Sequence, residues 1–83
     1  MKTIDIEIIN GKLGTLMSFC EMDNNTIICG CSEGMIWKLN PNTKEVIKHK
    51  TISTKSNVEY LIKINDKSFI ALDPYNTIKL LDI

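Results

Sequence analysis

The residues of this chain with the most chemical reach are three cysteines. Cys29 and Cys31 form a C-x-C pair and Cys20 stands upstream. Residues two apart on a strand point to the same side, so the pair could offer two soft donors to a metal. A closed site needs a third or fourth ligand in matching geometry. No second C-x-C follows, and His49 is the only histidine, so no metal ligands are assigned, and Cys29 reads instead as a small buried strand residue. Nucleophilic catalysis needs a nucleophile, a base and an orienting group together. No such set can be placed around His49, which reads as a solvent-facing residue of an outer strand. Asp5, Glu7 and Glu21 occupy the outward half of alternating segments and Asp73 falls at a turn, which does not make the carboxylate pair of an acid–base site. Gly11 and Gly14 lack the spacing and the following helix of a phosphate-binding loop. Asn24-Asn25-Thr26 fits a glycosylation acceptor but reads as a hairpin turn. The expectation is therefore a protein without catalytic, cofactor-binding or metal-binding residues, and not an enzyme.

Such residues need elements to carry them, and the composition limits what these can be. A chain of 83 residues is one domain and buries roughly 60–65% of its unfolded surface, which leaves stability marginal without a disulfide, a metal or a partner. Three cysteines are an odd number for a disulfide framework. Lys2, Asp5 and Glu7 interrupt the first ten residues, and no apolar run approaches the ~20 residues of a membrane span. A soluble cytoplasmic protein with reduced thiols is expected. Ten basic and ten acidic residues cancel, and every basic residue is lysine. The bidentate guanidinium fork suited to phosphates is missing, so neither nucleic acid nor membrane is expected as a partner.

The chain repeats itself. An ungapped shift of 42 places Leu16, Phe19, Met22, Ile27, Ile28, Ile36 and Leu39 on Val58, Leu61, Ile64, Phe69, Ile70, Ile78 and Leu81. Turn residues repeat too: Asp23-Asn24-Asn25 falls on Asn65-Asp66-Lys67, and Glu33-Gly34 falls on Tyr75-Asn76. Asn and Gly tolerate the positive φ of tight hairpins. Short apolar runs between such turns predict strands, near Thr15–Met22, Thr26–Cys31, Met35–Leu39 and Glu45–Ile52 in the first unit, and near Val58–Ile64, Ser68–Leu72 and Thr77–Asp82 in the second. The second unit lacks a fourth strand. Lys2 to Ile8 alternates as a half-buried strand does, and the same shift puts Lys2, Ile4 and Ile6 on Lys44, Val46 and Lys48 of the first unit's fourth strand. The N-terminal strand thus reads as the second unit's missing strand.

The segments Ser32-Glu33-Gly34-Met35-Ile36-Trp37-Lys38-Leu39-Asn40 and Tyr75-Asn76-Thr77-Ile78-Lys79-Leu80-Leu81-Asp82 resemble the WD-repeat propeller family. That family carries an Asp-Gly turn, a Thr-Ile strand start and a closing Trp-Asp pair. Leu39-Asn40 and Leu81-Asp82 stand where the pair would be; only the second keeps the aspartate and neither keeps the tryptophan. The family's Gly-His pair has no counterpart. The resemblance implies an all-β fold of two four-stranded antiparallel propeller-like blades in a single domain, with residues 1–10 as a closing strand, 15–52 as the first blade and 58–83 as the second.

Two blades cannot close a ring, which takes about four to eight. If the N-terminal strand of one subunit completes the second blade of the next, three or four chains form a closed ring with every edge used. The alternative is that the remaining blades come from another propeller protein. The expected closure interface is Ile4, Ile6 and Ile8 against Ile78 and Leu80. Trp37 falls on Lys79 in the repeat and is the candidate exposed contact residue. What the resemblance implies is a non-enzymatic protein-interaction scaffold whose partners are other proteins. The competing reading is a small-ligand or carbohydrate binder with pockets between blades of an oligomeric ring; it requires aromatic ligand residues in both units, and Trp37 does not recur.

Overall fold

The computed structural model describes residues 15–23, 25–51 and 56–83. Seven strands follow in chain order: β1 (Leu16–Asp23), β2 (Thr26–Cys31), β3 (Met35–Leu39), β4 (Val46–Thr51), β5 (Tyr60–Asn65), β6 (Ser68–Leu72) and β7 (Ile78–Asp82). They form a four-stranded antiparallel sheet ordered β1-β2-β3-β4 and a three-stranded one ordered β5-β6-β7. The all-β expectation holds, and three strands, β2, β3 and β6, have the bounds the sequence predicts. β5 starts later than expected because the Val58 N–H is donated to the Cys31 carbonyl of the first sheet. β7 starts one residue late because the Thr77 N–H is donated to the Asp73 carboxylate. The strand expected over Lys2–Ile8 lies outside the described residues, as do Gly11, Gly14 and Asn24.

The shift of 42 holds in the pairing register as well as in the letters. Phe19 faces Cys29 and Leu61 faces Ala71; Glu21 faces Ile27 and Lys63 faces Phe69; Ile27 faces Leu39 and Phe69 faces Leu81. Both first strands have a register shift at the same place, between Glu21 and Asp23 and between Lys63 and Asn65, and β1 has a further one between Leu16 and Ser18. The turns match in chemistry. Asp23 Oδ1 accepts the Asn25 N–H at 2.7 Å, and Asn65 Oδ1 accepts the Lys67 N–H at 2.9 Å, the short-range bond that Asp and Asn offer a turning backbone. At the next hairpin Gly34 (φ 73°) and its counterpart Asn76 (φ 67°) both take the left-handed backbone. Those are the two residue types that enter it at least cost.

The two sheets pack face to face. Met22, Ile28 and Ile36 of the first meet Phe69 and Ala71 of the second, with Val58 between them, and all six are buried. The opposite face of the first sheet is apolar too: Ile27, Cys29, Cys31 and Leu39 are buried, with Leu16, Met35, Trp37 and Val46 packed on them. A sheet apolar on both faces must be covered on both.

The sheets are set close by one residue. A Cβ on Gly30 would stand 2.5 Å from Ser18 Oγ and 2.6 Å from a Val58 methyl, and neither Val58 nor the backbone behind it can withdraw. The Ser18 hydroxyl donates to the Val58 carbonyl at 2.7 Å and the Val58 N–H donates to the Cys31 carbonyl at 3.1 Å, so Val58 is held from both ends against the bare Gly30 backbone. Gly30→Ala should therefore destabilise the fold by about 1–3 kcal/mol, the usual range for overpacking a close-packed core. Urea denaturation followed by circular dichroism checks this, and an unchanged midpoint would contradict the contact.

Candidate interaction face

The chemistry-bearing side chains are dispersed. Cys20 lies in the row with Ile28, on the face toward the second sheet, whereas Cys29 and Cys31 lie on the opposite face. The C-x-C pair is therefore separated from the third cysteine by the thickness of the sheet. Among the described residues no group of three His, Cys, Asp or Glu is placed to hold a metal ion. All three cysteines are free thiols. Burial pushes the Cys29 thiol up to about 12, with Cys31 beside it adding to the shift, and burial pushes Cys31 up to about 11. Cys20 is also raised by burial, with the Lys63 ammonium opposing. The thiolate is the reactive form, so these are packing residues. His49 falls on β4, and Glu21 is exposed on β1.

Asp73 stands at the turn the sequence gives it, but it is buried. One carboxylate oxygen accepts the N–H groups of both Tyr75 and Thr77 at 2.9 Å. These bonds, Thr77's first, hold its carboxyl below the usual carboxylate range against the opposing effect of burial. A depressed folded-state value means that the stabilisation is present at neutral pH and is lost as pH falls through that value. Asp73 is thus the clasp of the β6–β7 turn.

Trp37 is half-buried in the row Phe19–Cys29–Trp37 and packs on the Ile27, Cys29, Cys31 and Leu39 cluster. Its indole N–H is buried and has no hydrogen-bond partner among the described residues. The Asn65–Ser68 turn and the Asp82–Ile83 chain end border an open depression of ≈ 650 Å³. The Ser68 hydroxyl there donates to Asp82 at 2.9 Å.

What the structure does gather is a face. Opposed residues on neighbouring strands share a side of the sheet, and the outer side of β5–β7 carries two rows, Tyr60–Leu72–Ile78 and Ile62–Ile70–Leu80. Ile64, the counterpart of the buried Met22, extends the patch. Tyr60, Ile62, Ile64, Ile78 and Leu80 are 65, 50, 51, 63 and 68% exposed. Isolated exposed aliphatics are ordinary, but these five stand together on one side of the sheet. Ile78 and Leu80, two of the five expected closure residues, lie in it; Ile4, Ile6 and Ile8 lie outside the described residues. Tyr60, Ile62 and Ile64 were not expected as contact residues, although their alternation with Leu61 and Lys63 is the signal that places them on one side.

No helix among the described residues is long and apolar enough to cross a membrane. No protein family, curated protein or solved structure matches this chain.

The difference in cysteine environment has a direct readout. In the folded protein a thiol reagent at pH 8 should modify half-buried Cys20 first, and Cys29 and Cys31 only at the rate of unfolding. Mass-resolved labelling with and without urea checks this; fast modification of Cys29 in the absence of denaturant would contradict its placement.

Proposed function

We propose that this chain is a non-enzymatic interaction module, a WD-repeat-like pair of propeller-type units that assembles with further units into a larger scaffold. The observation that carries this reading is the open two-row face of β5–β7. Its positions are the repeat counterparts of Ser18, Cys20, Ile28, Gly30, Ile36 and Lys38 on the first sheet, and that is the face of the first sheet on which the second packs. One of two equivalent faces is thus filled inside the chain, and the other is left open at the end of the repeat. β7 is also the last strand of its sheet among the described residues. The strand that completes this sheet is, in this reading, the one expected over Lys2 to Ile8, which lies outside the described residues. In this reading the apolar face supplies the affinity and the strand edge supplies the register.

The test compares the intact chain with an Ile62→Glu, Leu80→Glu double variant, both immobilised and exposed to extract from the source cells. Both substitutions lie on exposed side chains, so the variant should keep the circular dichroism spectrum and unfolding midpoint of the parent. The reading predicts proteins retained by the parent and lost from the variant. An identical retained set on both would sink it, and a metabolite or glycan that raised the melting temperature of both chains alike would favour a ligand binder.

A further inference from the structure

Resting on that interaction reading, the repeat allows the partner of the open face to be specified. In the packed pair the first sheet presents Ser18, Gly30 and Ile36 as one row, and Val58 of the second sheet enters over Gly30, where even a methyl group would collide. On the open face the same row reads Tyr60, Leu72 and Ile78. A leucine therefore stands where the first interface requires a bare backbone, and a tyrosine stands where it requires a serine. A third sheet placed as the second is placed on the first would drive its own leading residue into the Leu72 side chain.

A second copy of this chain is such a sheet, and it fits badly. Its residue at the leading position is Leu16, the counterpart of Val58, so leucine would meet leucine in a space that in the filled interface has no room for one methyl. The face it would have to present, with Ile27, Cys29 and Leu39, is moreover already buried in the chain. Close-packed interfaces do not absorb such an overlap cheaply. The rest of the open face keeps the apolar character of the filled one: Ile70 stands for Ile28, Ile78 for Ile36 and Ile64 for Met22.

We propose that the outer face of β5–β7 receives a non-identical third unit of the same kind, whose residue at the place of Val58 is glycine, alanine or serine, so that the bulk sits on this chain and the gap on its partner. The interlock is the reverse of the one within the chain. In the filled interface the glycine is on the receiving sheet and the valine on the arriving one; here Leu72 and Tyr60 receive, and the arriving strand must be small. Reversal of this kind gives order as well as affinity, because a wrongly ordered unit meets a clash and not merely a weaker contact.

The test extends the full chain and needs no isolated fragment. Ile83 is the counterpart of Pro41, so appending a copy of residues 42–83 after Ile83 continues the repeat without a break. Two extended chains are made, one with the appended copy unchanged and one in which that copy carries Val58→Gly. The glycine form should dock, seen as loss of the fluorescence of an apolar dye bound to the Tyr60–Leu80 face and as slowed thiol labelling of an Ile62→Cys reporter. The unchanged form should leave both signals as they are in the parent. Tyr60→Ser with Leu72→Gly in the original unit should then restore docking of the unchanged form, even if the glycine form is itself too unstable to fold.

Equal docking of both extended forms overturns the reversed interlock while leaving the interaction reading intact. Docking of neither, with the appended strands folded by circular dichroism, overturns the proposal, and the interaction reading falls with it only if the immobilised parent and the double variant also retain the same proteins. A dimer of the unextended chain by light scattering, abolished by Ile62→Glu, would show that the occupant is a second copy and would likewise overturn it.

Discussion

The two sheets are held at their separation by the contact of Val58 with the backbone of Gly30. Three groups set it: the hydrogen at Gly30 where any side chain would collide, the Ser18 hydroxyl that holds the Val58 carbonyl, and the Cys31 carbonyl that takes the Val58 N–H. The energetic weight of this arrangement lies less in its two hydrogen bonds, each worth about 1 kcal/mol net, than in what it allows. With Val58 seated, Met22, Ile28 and Ile36 share one buried cluster with Phe69 and Ala71. Burial of side chains of this size contributes about 1.5–3 kcal/mol each. A wider separation would leave voids along the whole shared face.

From that contact follows the inequality of the molecule's faces. Three apolar sheet faces are buried or shared, and one is open. A small domain already keeps a large part of its surface exposed, and Phe19, Ile47 and Tyr75 are exposed elsewhere, but Tyr60, Ile62, Ile64, Ile78 and Leu80 stand together on the outer side of β5–β7. The register of that face is inherited from the repeat, since the same pairing that buries Ile28 and Ile36 in the first sheet aligns Ile70 and Ile78 in the second. The open face is the repeat counterpart of the filled one, with Tyr60 and Leu72 standing where Ser18 and Gly30 stand on the first sheet.

The strands, their order and the repeat were legible because they rest on local rules: alternation, Asx residues at Asp23 and Asn65, and residues at Gly34 and Asn76 that accept a left-handed backbone. Bounds failed where a backbone group found a tertiary partner, as the Val58 N–H does at Cys31 and the Thr77 N–H at Asp73. Gly30 was not legible. Set against Leu72 in the repeat it looks like one more mismatch, and its meaning appears only when Val58, 28 residues away in sequence, is seen against it. Burial of Asp73 was hidden for a similar reason, since a turn aspartate is ordinarily solvated. Of the candidate site, Ile78 and Leu80 were expected from closure at the last strand; alternation groups Tyr60, Ile62 and Ile64 on one side of β5 but does not say which side the first sheet covers.

The most direct test of this account is a nuclear Overhauser measurement between the Val58 methyl groups and the Gly30 α-protons in the isotopically labelled chain. The account predicts a strong cross-peak, together with a protected Val58 amide, as expected for van der Waals contact between the two sheets. Absence of the cross-peak in a folded sample whose β1–β2 and β5–β6 cross-strand peaks are intact would contradict it: the two sheets would then not be joined through this contact, and the contrast between the filled and the open face would lose its basis.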